Sequence, residues 1–107
     1  MKLQTFKNIW EELNETVFAS VLFPPRFYRT RSNYSYAAYV AGIDCESDMY
    51  FNLDTPGRLG RSTVYHEMVH QYLEEFLNVE EKDDHGPIFL KEYDKFKPSD
   101  VGAFDCD

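Results

Sequence analysis

The sequence has few cysteines and no long apolar run. Its 107 residues include two cysteines, Cys45 and Cys106, which lie 61 positions apart, so neither a CxxC metal knuckle nor a dense disulfide framework can be drawn. No stretch reaches the roughly 18 consecutive apolar residues of a membrane span, and the N-terminal segment meets acidic residues too early for a secretory signal. The sequence therefore predicts a soluble, cytoplasmic protein with free thiols and no membrane association.

Positive charge is also scarce. The chain has 11 Lys and Arg against 19 Asp and Glu, and the excess of negative charge falls entirely after residue 40. An acidic surface repels phosphate backbones, so direct nucleic-acid binding would need a local basic strip. The one candidate contains Arg26, Arg29 and Arg31, and we interpret it as a solvated strand face. Strand alternation puts Arg26 on the face opposite to the other two arginines, which weakens a shared phosphate contact.

Apolar and aromatic residues are plentiful enough for one hydrophobic core. Hydrophobic residues make up 43% of the chain, with eight Tyr and nine Phe. A chain of this length is expected to fold as one domain, residues 1–107, in which the polar tail 97–107 has little to pack and is expected to be flexible. No internal repeat or low-complexity segment is visible.

The spacing of apolar residues predicts an N-terminal helix followed by a small sheet. In residues 3–18 the apolar positions recur every three or four residues, as an amphipathic helix requires; they are Leu3, Phe6, Trp10, Leu13 and Val17. The sequence FPP at 23–25 is expected to break this helix. Three runs rich in aromatic and β-branched residues, 26–31, 36–42 and 48–54, predict short antiparallel strands.

Two further helices are predicted in the second half. Ser62 or Thr63 is the expected N-cap of a helix that runs to about Leu77. This helix carries a broad apolar stripe, which predicts a central, largely buried position; the stripe consists of Val64, Tyr65, Met68, Val69, Tyr72, Leu73 and Phe76. After the acidic segment 78–84, Pro87 is expected at the first position of a short C-terminal helix.

All three histidines of the chain lie between residues 66 and 85. Residues four apart project from one face of a helix, so His66 and His70 can bind the same metal ion. Zinc favours imidazole ligands, and a catalytic zinc site has three protein ligands and one position for water, which makes His85 the expected third ligand. Glu67 follows the first ligand, where a carboxylate can act as general base toward the activated water. The expected reaction is hydrolysis of a peptide bond.

The sequences HEMVHQYL and HGPIFLKEY resemble the SprT-like metallopeptidase domain family, whose pattern is H-E-x-x-H followed by H-G-x-x-F. The resemblance extends over residues 3–96, with the specific motifs within 66–89. It implies a small zincin-like α+β fold, zinc ligands at His66, His70 and His85, and a catalytic Glu67. Many relatives also carry a cysteine zinc ribbon or DNA-binding segments. Neither is recognisable here, so the substrate stays open, and a separate partner protein could deliver it.

Two alternatives remain at this stage. The domain could be a zinc-binding adaptor or protein-interaction module with little or no catalytic activity. A purely structural zinc site usually closes its fourth position with another protein ligand, which Cys45 or an acidic side chain could supply. Tyr93 could stabilise the oxyanion formed during hydrolysis. We favour a packing role for Tyr93, because most of the eight tyrosines are expected to be packing residues.

Overall fold

The computed structural model describes residues 2–30, 37–42, 46–52, 60–79 and 85–101. Within these ranges it has three α-helices and three strands: α1 (Leu3–Thr16), β1 (Arg26–Arg29), β2 (Ala37–Ala41), β3 (Ser47–Phe51), α2 (Arg61–Tyr72) and α3 (Pro87–Phe96). A π-helical segment, Leu73–Leu77, continues α2. The α+β class is confirmed. No described helix has the length and apolar content needed to cross a bilayer.

Helix α1 is amphipathic, as its spacing predicts. Phe6, Trp10 and Leu13 are buried, and its other faces are polar. The helix ends at Thr16, so the prolines at 24 and 25 are not what terminates it. The break comes earlier because the chain turns through Ala19 and Ser20.

The sheet is mixed, so the prediction of three antiparallel strands is wrong for β1. Strand β3 lies in the centre, antiparallel to β2 and parallel to β1. Alternation along β3 puts Met49 and Phe51 on the core face, where both are fully buried. A central strand has both backbone edges hydrogen-bonded away from water, which suits the most buried strand of the three. The parallel partner then requires the intervening chain to cross to the other side of β3.

The turn between β2 and β3 depends on a glycine. Ala41 pairs with Ser47, so the connection between the two strands begins at Gly42. A Cβ atom on Gly42 would lie 2.3 Å from the carbonyl oxygen of Glu46. Only glycine allows this close approach of two backbone segments without a shift.

The core lies between the inner face of the sheet and the helices α1 and α2. The rings of Phe6 and Phe51 stack with centroids 4.8 Å apart and join the helix to the sheet. A second aromatic group surrounds Phe18, whose ring lies 5.6 Å from both Tyr72 and Phe96. Helix α2 therefore has packing partners on several sides, which confirms the prediction of a central, buried helix.

Three details of α2 and its continuation differ from the sequence prediction. The N-cap is Gly60, so Ser62 and Thr63 lie inside the first turn and the predicted cap is wrong. The helix becomes π-helical after Tyr72. Phe76, assigned to the buried stripe, is exposed, because residues in a π-helical turn rotate less about the axis than the α-helical spacing assumes. Pro87 begins α3, as predicted.

The described part of the chain after α3 lies beside the first turn of α2. Val101 is buried, and Lys97 Nζ donates a hydrogen bond to its carbonyl oxygen at 3.0 Å. Arg61, in the first turn of α2, forms ion pairs with Glu12 and with Asp100. Residues 102–107, which belong to the predicted tail, lie outside the described residues.

Candidate metal centre

Helix α2 and the start of α3 bring the three histidines together. His66 and His70 lie one turn apart on α2, with ring centroids 5.1 Å apart. His85 lies two residues before the start of α3, and its Nε2 atom lies 3.1 Å from Nε2 of His66. One nitrogen from each ring lies within 4.8 Å of the other two. Fourteen residues separate His70 from His85, so the cluster depends on how α3 packs against α2.

A phenylalanine supports all three imidazoles. Phe89 is fully buried, and its ring centroid lies 5.2 Å from His66, 4.4 Å from His70 and 5.0 Å from His85. It lies one helical turn after His85, on the face of α3 that packs against α2. Phe89 therefore places the third histidine and limits the rotation of the other two rings.

Two further contacts hold α3 in this position. The hydroxyl of Tyr65 donates a hydrogen bond to the carbonyl oxygen of Tyr93 at 2.5 Å, and the two rings pack edge to face at 4.8 Å. Burial raises the pKa of the Tyr65 hydroxyl, with a further contribution from Tyr93, so it remains a donor at neutral pH. Pro87 occupies the first helical position, where its fixed φ angle favours the start of a helix, so His85 lies just before α3.

The donor set fits a metal ion that prefers imidazole. Two nitrogens bound to one zinc ion at about 2.05 Å with a tetrahedral angle stand about 3.3 Å apart. The observed 3.1 Å between His66 and His85 is close to that value. Among the described residues the cluster contains three histidines and no carboxylate or thiol. Three half-buried imidazoles thus form a cluster with donors for one metal ion.

His66 is held in the neutral form that binds metal. Burial, followed by the proximity of His70 and His85, lowers its pKa from 6.5 to about 3. A neutral imidazole has a nitrogen lone pair available for a metal ion, whereas a protonated one has none. His66 therefore needs no deprotonation to act as a ligand near neutral pH.

The metal-free protein is expected to lose stability as the pH falls below 6.5. In the unfolded chain His66 takes up a proton near pH 6.5, whereas in the folded chain it does so only near pH 3. The unfolded state therefore binds more protons over this window, and acidification favours unfolding. Between pH 7.5 and 5.0 the loss is about 1–2 kcal/mol in the free energy of unfolding. Urea titrations of the metal-free protein at the two pH values measure it.

His66→Gln is the control for this pH dependence, because glutamine does not titrate. The difference in unfolding free energy between the two pH values is expected to shrink in this variant. Equal differences in the variant and the wild type would mean that His66 does not titrate as stated.

The other residues selected from the sequence lie in different environments. Glu67, the expected general base, lies next to His66 on α2 with 6% of its surface exposed. The Tyr93 ring centroid lies 6.5 Å from that of His66, and its ring is packed between Tyr65 and Phe89. The structure thus shows the packing role expected for Tyr93.

Arg26 and Arg29 are not part of the histidine cluster. Arg26 donates a hydrogen bond to Asp48 at 2.7 Å across the β1–β3 pair, and Arg29 is exposed at the end of β1. Arg31 lies outside the described residues. Strand β1 forms the sheet edge opposite β2, and β2 is the strand that packs against α2.

Phe89 is the site residue to which sequence reasoning assigned no role. It entered only as the last position of the H-G-x-x-F pattern. Its position four residues after His85 was the available signal, since residues i and i+4 are neighbours on a helix surface. Its contact with His66 and His70 could not be read from local spacing.

No protein-family model matches this chain, and no curated protein shows significant sequence similarity to it. The interpretation of the site therefore depends on the histidine motif and on the geometry described above.

Proposed function

We propose that this protein is a zinc-dependent metallopeptidase. The observation that supports the proposal is the convergence of His66, His70 and His85 in an arrangement of three imidazole donors, with one nitrogen-to-nitrogen distance close to that of a tetrahedral site. The glutamate at position 67, which follows the first histidine on the same helix, is the group that a hydrolytic site additionally needs.

In this proposal the three histidines hold the zinc ion. When bound, zinc supplies a positive charge that polarises a peptide carbonyl and lowers the pKa of a water molecule toward 7. Phe89 keeps the imidazoles in register, and burial keeps His66 neutral.

Glu67 moves the proton. Its carboxylate accepts a proton from the attacking water and then donates it to the leaving amine nitrogen as the peptide bond breaks. Only 6% of the Glu67 surface is exposed. Its carboxylate is therefore shielded from bulk water, which strengthens its electrostatic interactions. The proposed substrate is a protein or peptide, because hydrolysis of its peptide bond gives a carboxylate and an amine.

The proposal includes membership of the SprT-like group and a zincin-like arrangement. The order of a first helix, a small sheet, a metal helix and a short last helix supports it. The H-G-x-x-F segment supports it further, because both of its functional positions, His85 and Phe89, contact the other histidines.

Glu67→Gln is expected to abolish hydrolysis while zinc remains bound. Glutamine has the same shape but cannot accept the proton, so the rate is expected to fall about 100-fold or more. The full-length protein loaded with one equivalent of zinc is incubated with a pool of unstructured peptides, and the fragments are identified by mass spectrometry. Metal content is measured on the same samples.

Glu11→Gln is the matched control, because Glu11 is an exposed glutamate on α1. It is expected to keep full activity. If Glu67→Gln cleaves as fast as the wild type, the proposed mechanism is wrong. If the wild type binds zinc but cleaves no peptide, the zinc-binding interaction module is the better description.

A further inference from the structure

Three large apolar side chains are exposed on the loop that follows α1 and on the π-helical segment that follows α2. Val21 is 37% exposed, Phe23 54% and Phe76 56%. Val21 and Phe23 belong to the loop that follows α1, and Phe76 belongs to the π-helical segment after α2. We name these three side chains the exposed apolar surface.

Hydrogen bonds fix Phe23 against the helix that carries Phe76. The backbone N–H of Phe23 donates to Oε1 of Glu75 at 2.9 Å, and its carbonyl oxygen accepts from Nε2 of Gln71 at 2.6 Å. Glu75 directly precedes Phe76. The Phe23 backbone therefore lies beside the helical turn that carries Phe76, whose ring stacks on Tyr72 at 5.0 Å.

Val21 is attached to the same region. Its N–H donates to the carbonyl oxygen of Phe18 at 3.1 Å. The Phe18 ring in turn lies 5.6 Å from Tyr72, the ring on which Phe76 stacks. Tyr72 is buried, and its ring contacts both Phe18 and Phe76.

The loop that presents Val21 and Phe23 is strained and held in place. Ala19 and Ser20 have φ values of 53° and 60°, in the left-handed region that residues with a side chain seldom adopt. The Asn14 side chain bonds both the N–H and the carbonyl oxygen of Leu22, which closes the loop. Strain of this kind persists where the surrounding structure over-determines it and clusters at ligand-binding segments. Val21 follows these two residues directly, and Phe23 follows Leu22, which Asn14 holds.

The surroundings of this surface are acidic. Glu74 and Glu75 directly precede Phe76, and Arg26, the basic residue nearest to Phe23 along the chain, is paired with Asp48. Glu15 and Glu74 are exposed and form no ion pair within the part of the chain that the structure describes. On the α3 side, Lys95 lies 5.1 Å from the Phe96 ring centroid and 4.0 Å from Glu92, so its charge is partly compensated.

We propose that the exposed apolar surface binds a cationic amphipathic segment of a partner protein. Large aromatic side chains with an acidic surround complement a helix that carries apolar residues on one face and Lys or Arg beside them. Nucleic acids are repelled by the same charge, and so is a second copy of this chain, whose net charge is −8. The surface shares no residue with the metal centre, so this binding does not depend on the proposed peptidase activity.

The test uses a defined probe. A fluorescein-labelled peptide of about 18 residues, built from Leu, Ala and Lys as an amphipathic helix, is titrated with the full-length zinc-loaded protein. Fluorescence anisotropy reports binding, and mass spectrometry checks that the peptide stays intact. A matched peptide has Glu at every Lys position. The Lys peptide is expected to bind, and the Glu peptide is expected not to bind.

Substitutions locate the binding site. Phe23→Ser combined with Phe76→Ser is expected to weaken binding about tenfold or more, since both aromatic anchors are lost. Val40→Ser combined with Leu90→Ser is the matched control, because both side chains are exposed elsewhere on the domain. The control is expected to bind as the wild type does. Thermal unfolding of all variants is measured in parallel, and exposed positions are expected to leave it nearly unchanged.

Two charge reversals distinguish attraction of the peptide by carboxylates near the exposed apolar surface from attraction by the net charge of the protein. Glu74→Lys is expected to weaken binding more than Glu11→Lys, although both change the net charge equally. The proposal is overturned if the Phe23 and Phe76 variant binds as tightly as the wild type, if the Glu peptide binds equally well, or if the two charge reversals have the same effect.

Discussion

His85→Ala is expected to lower the affinity of the protein for zinc on the order of a hundredfold or more, because one of three donors is removed. Its Nε2 atom lies 3.1 Å from that of His66, so the two nitrogens can share one ion. The wild type is expected to contain about one zinc per chain when it is purified without a histidine tag. Mass spectrometric metal analysis gives the content, and competition with a chelator of known affinity gives the dissociation constant.

Leu90→Ala is the control for this variant. Leu90 is an exposed residue of α3, and its truncation removes apolar surface from the same helix without touching a histidine. It is expected to bind zinc as the wild type does. If His85→Ala retains the wild-type affinity, the third ligand is another group and the three-histidine site is wrong. If the wild type takes up no zinc after reconstitution, the peptidase proposal is abandoned.

Gln71→Leu is expected to destabilise the fold by about 2–4 kcal/mol, because it leaves the buried Trp10 indole N–H and two partly buried acceptors without this partner. Gln71 is fully buried. Its Oε1 accepts a hydrogen bond from the Trp10 indole at 2.9 Å, and its Nε2 donates to the Phe23 carbonyl at 2.6 Å and to Glu75 at 2.7 Å. Leucine fills a similar volume, so the loss comes from the missing hydrogen bonds rather than from a cavity.

Urea unfolding followed by the fluorescence of Trp10, the one tryptophan of the chain, measures this effect. Gln4→Leu is the matched control, since Gln4 is exposed and its side chain donates a hydrogen bond to Asn8 on the surface of α1. Its midpoint is expected to stay close to that of the wild type. Similar losses in both variants would show that the buried network around Gln71 contributes nothing specific.

The network around Gln71 also joins the two surfaces to which we assign functions. Gln71 follows the metal-cluster residue His70 directly, and it bonds the backbone of Phe23 in the exposed apolar surface. Loss of Gln71 is therefore expected to loosen the loop that presents Phe23, in addition to lowering stability. Helix α2 thus carries both two histidines of the cluster and the glutamine that bonds the loop containing Phe23.

The sequence by itself determined the features that depend on local spacing. The three- and four-residue apolar periods predicted α1 and the buried α2, and Pro87 predicted the start of α3. The four-residue spacing of His66 and His70 predicted their shared face, because rise and rotation within one helix are set by backbone geometry. His85 was selected as the one remaining histidine, without knowledge of its position.

Only the tertiary structure decided what depends on residues distant in the chain. The parallel pairing of β1 with β3 and the contact of Phe89 with three imidazoles both follow from how separate elements pack. Strand order is selected by which strand gains most from burial on both edges, and no local pattern reports that. The position of His85 beside His66 likewise exists because α3 packs on α2, where Phe89 and Tyr93 are buried, and this packing brings the metal donors together.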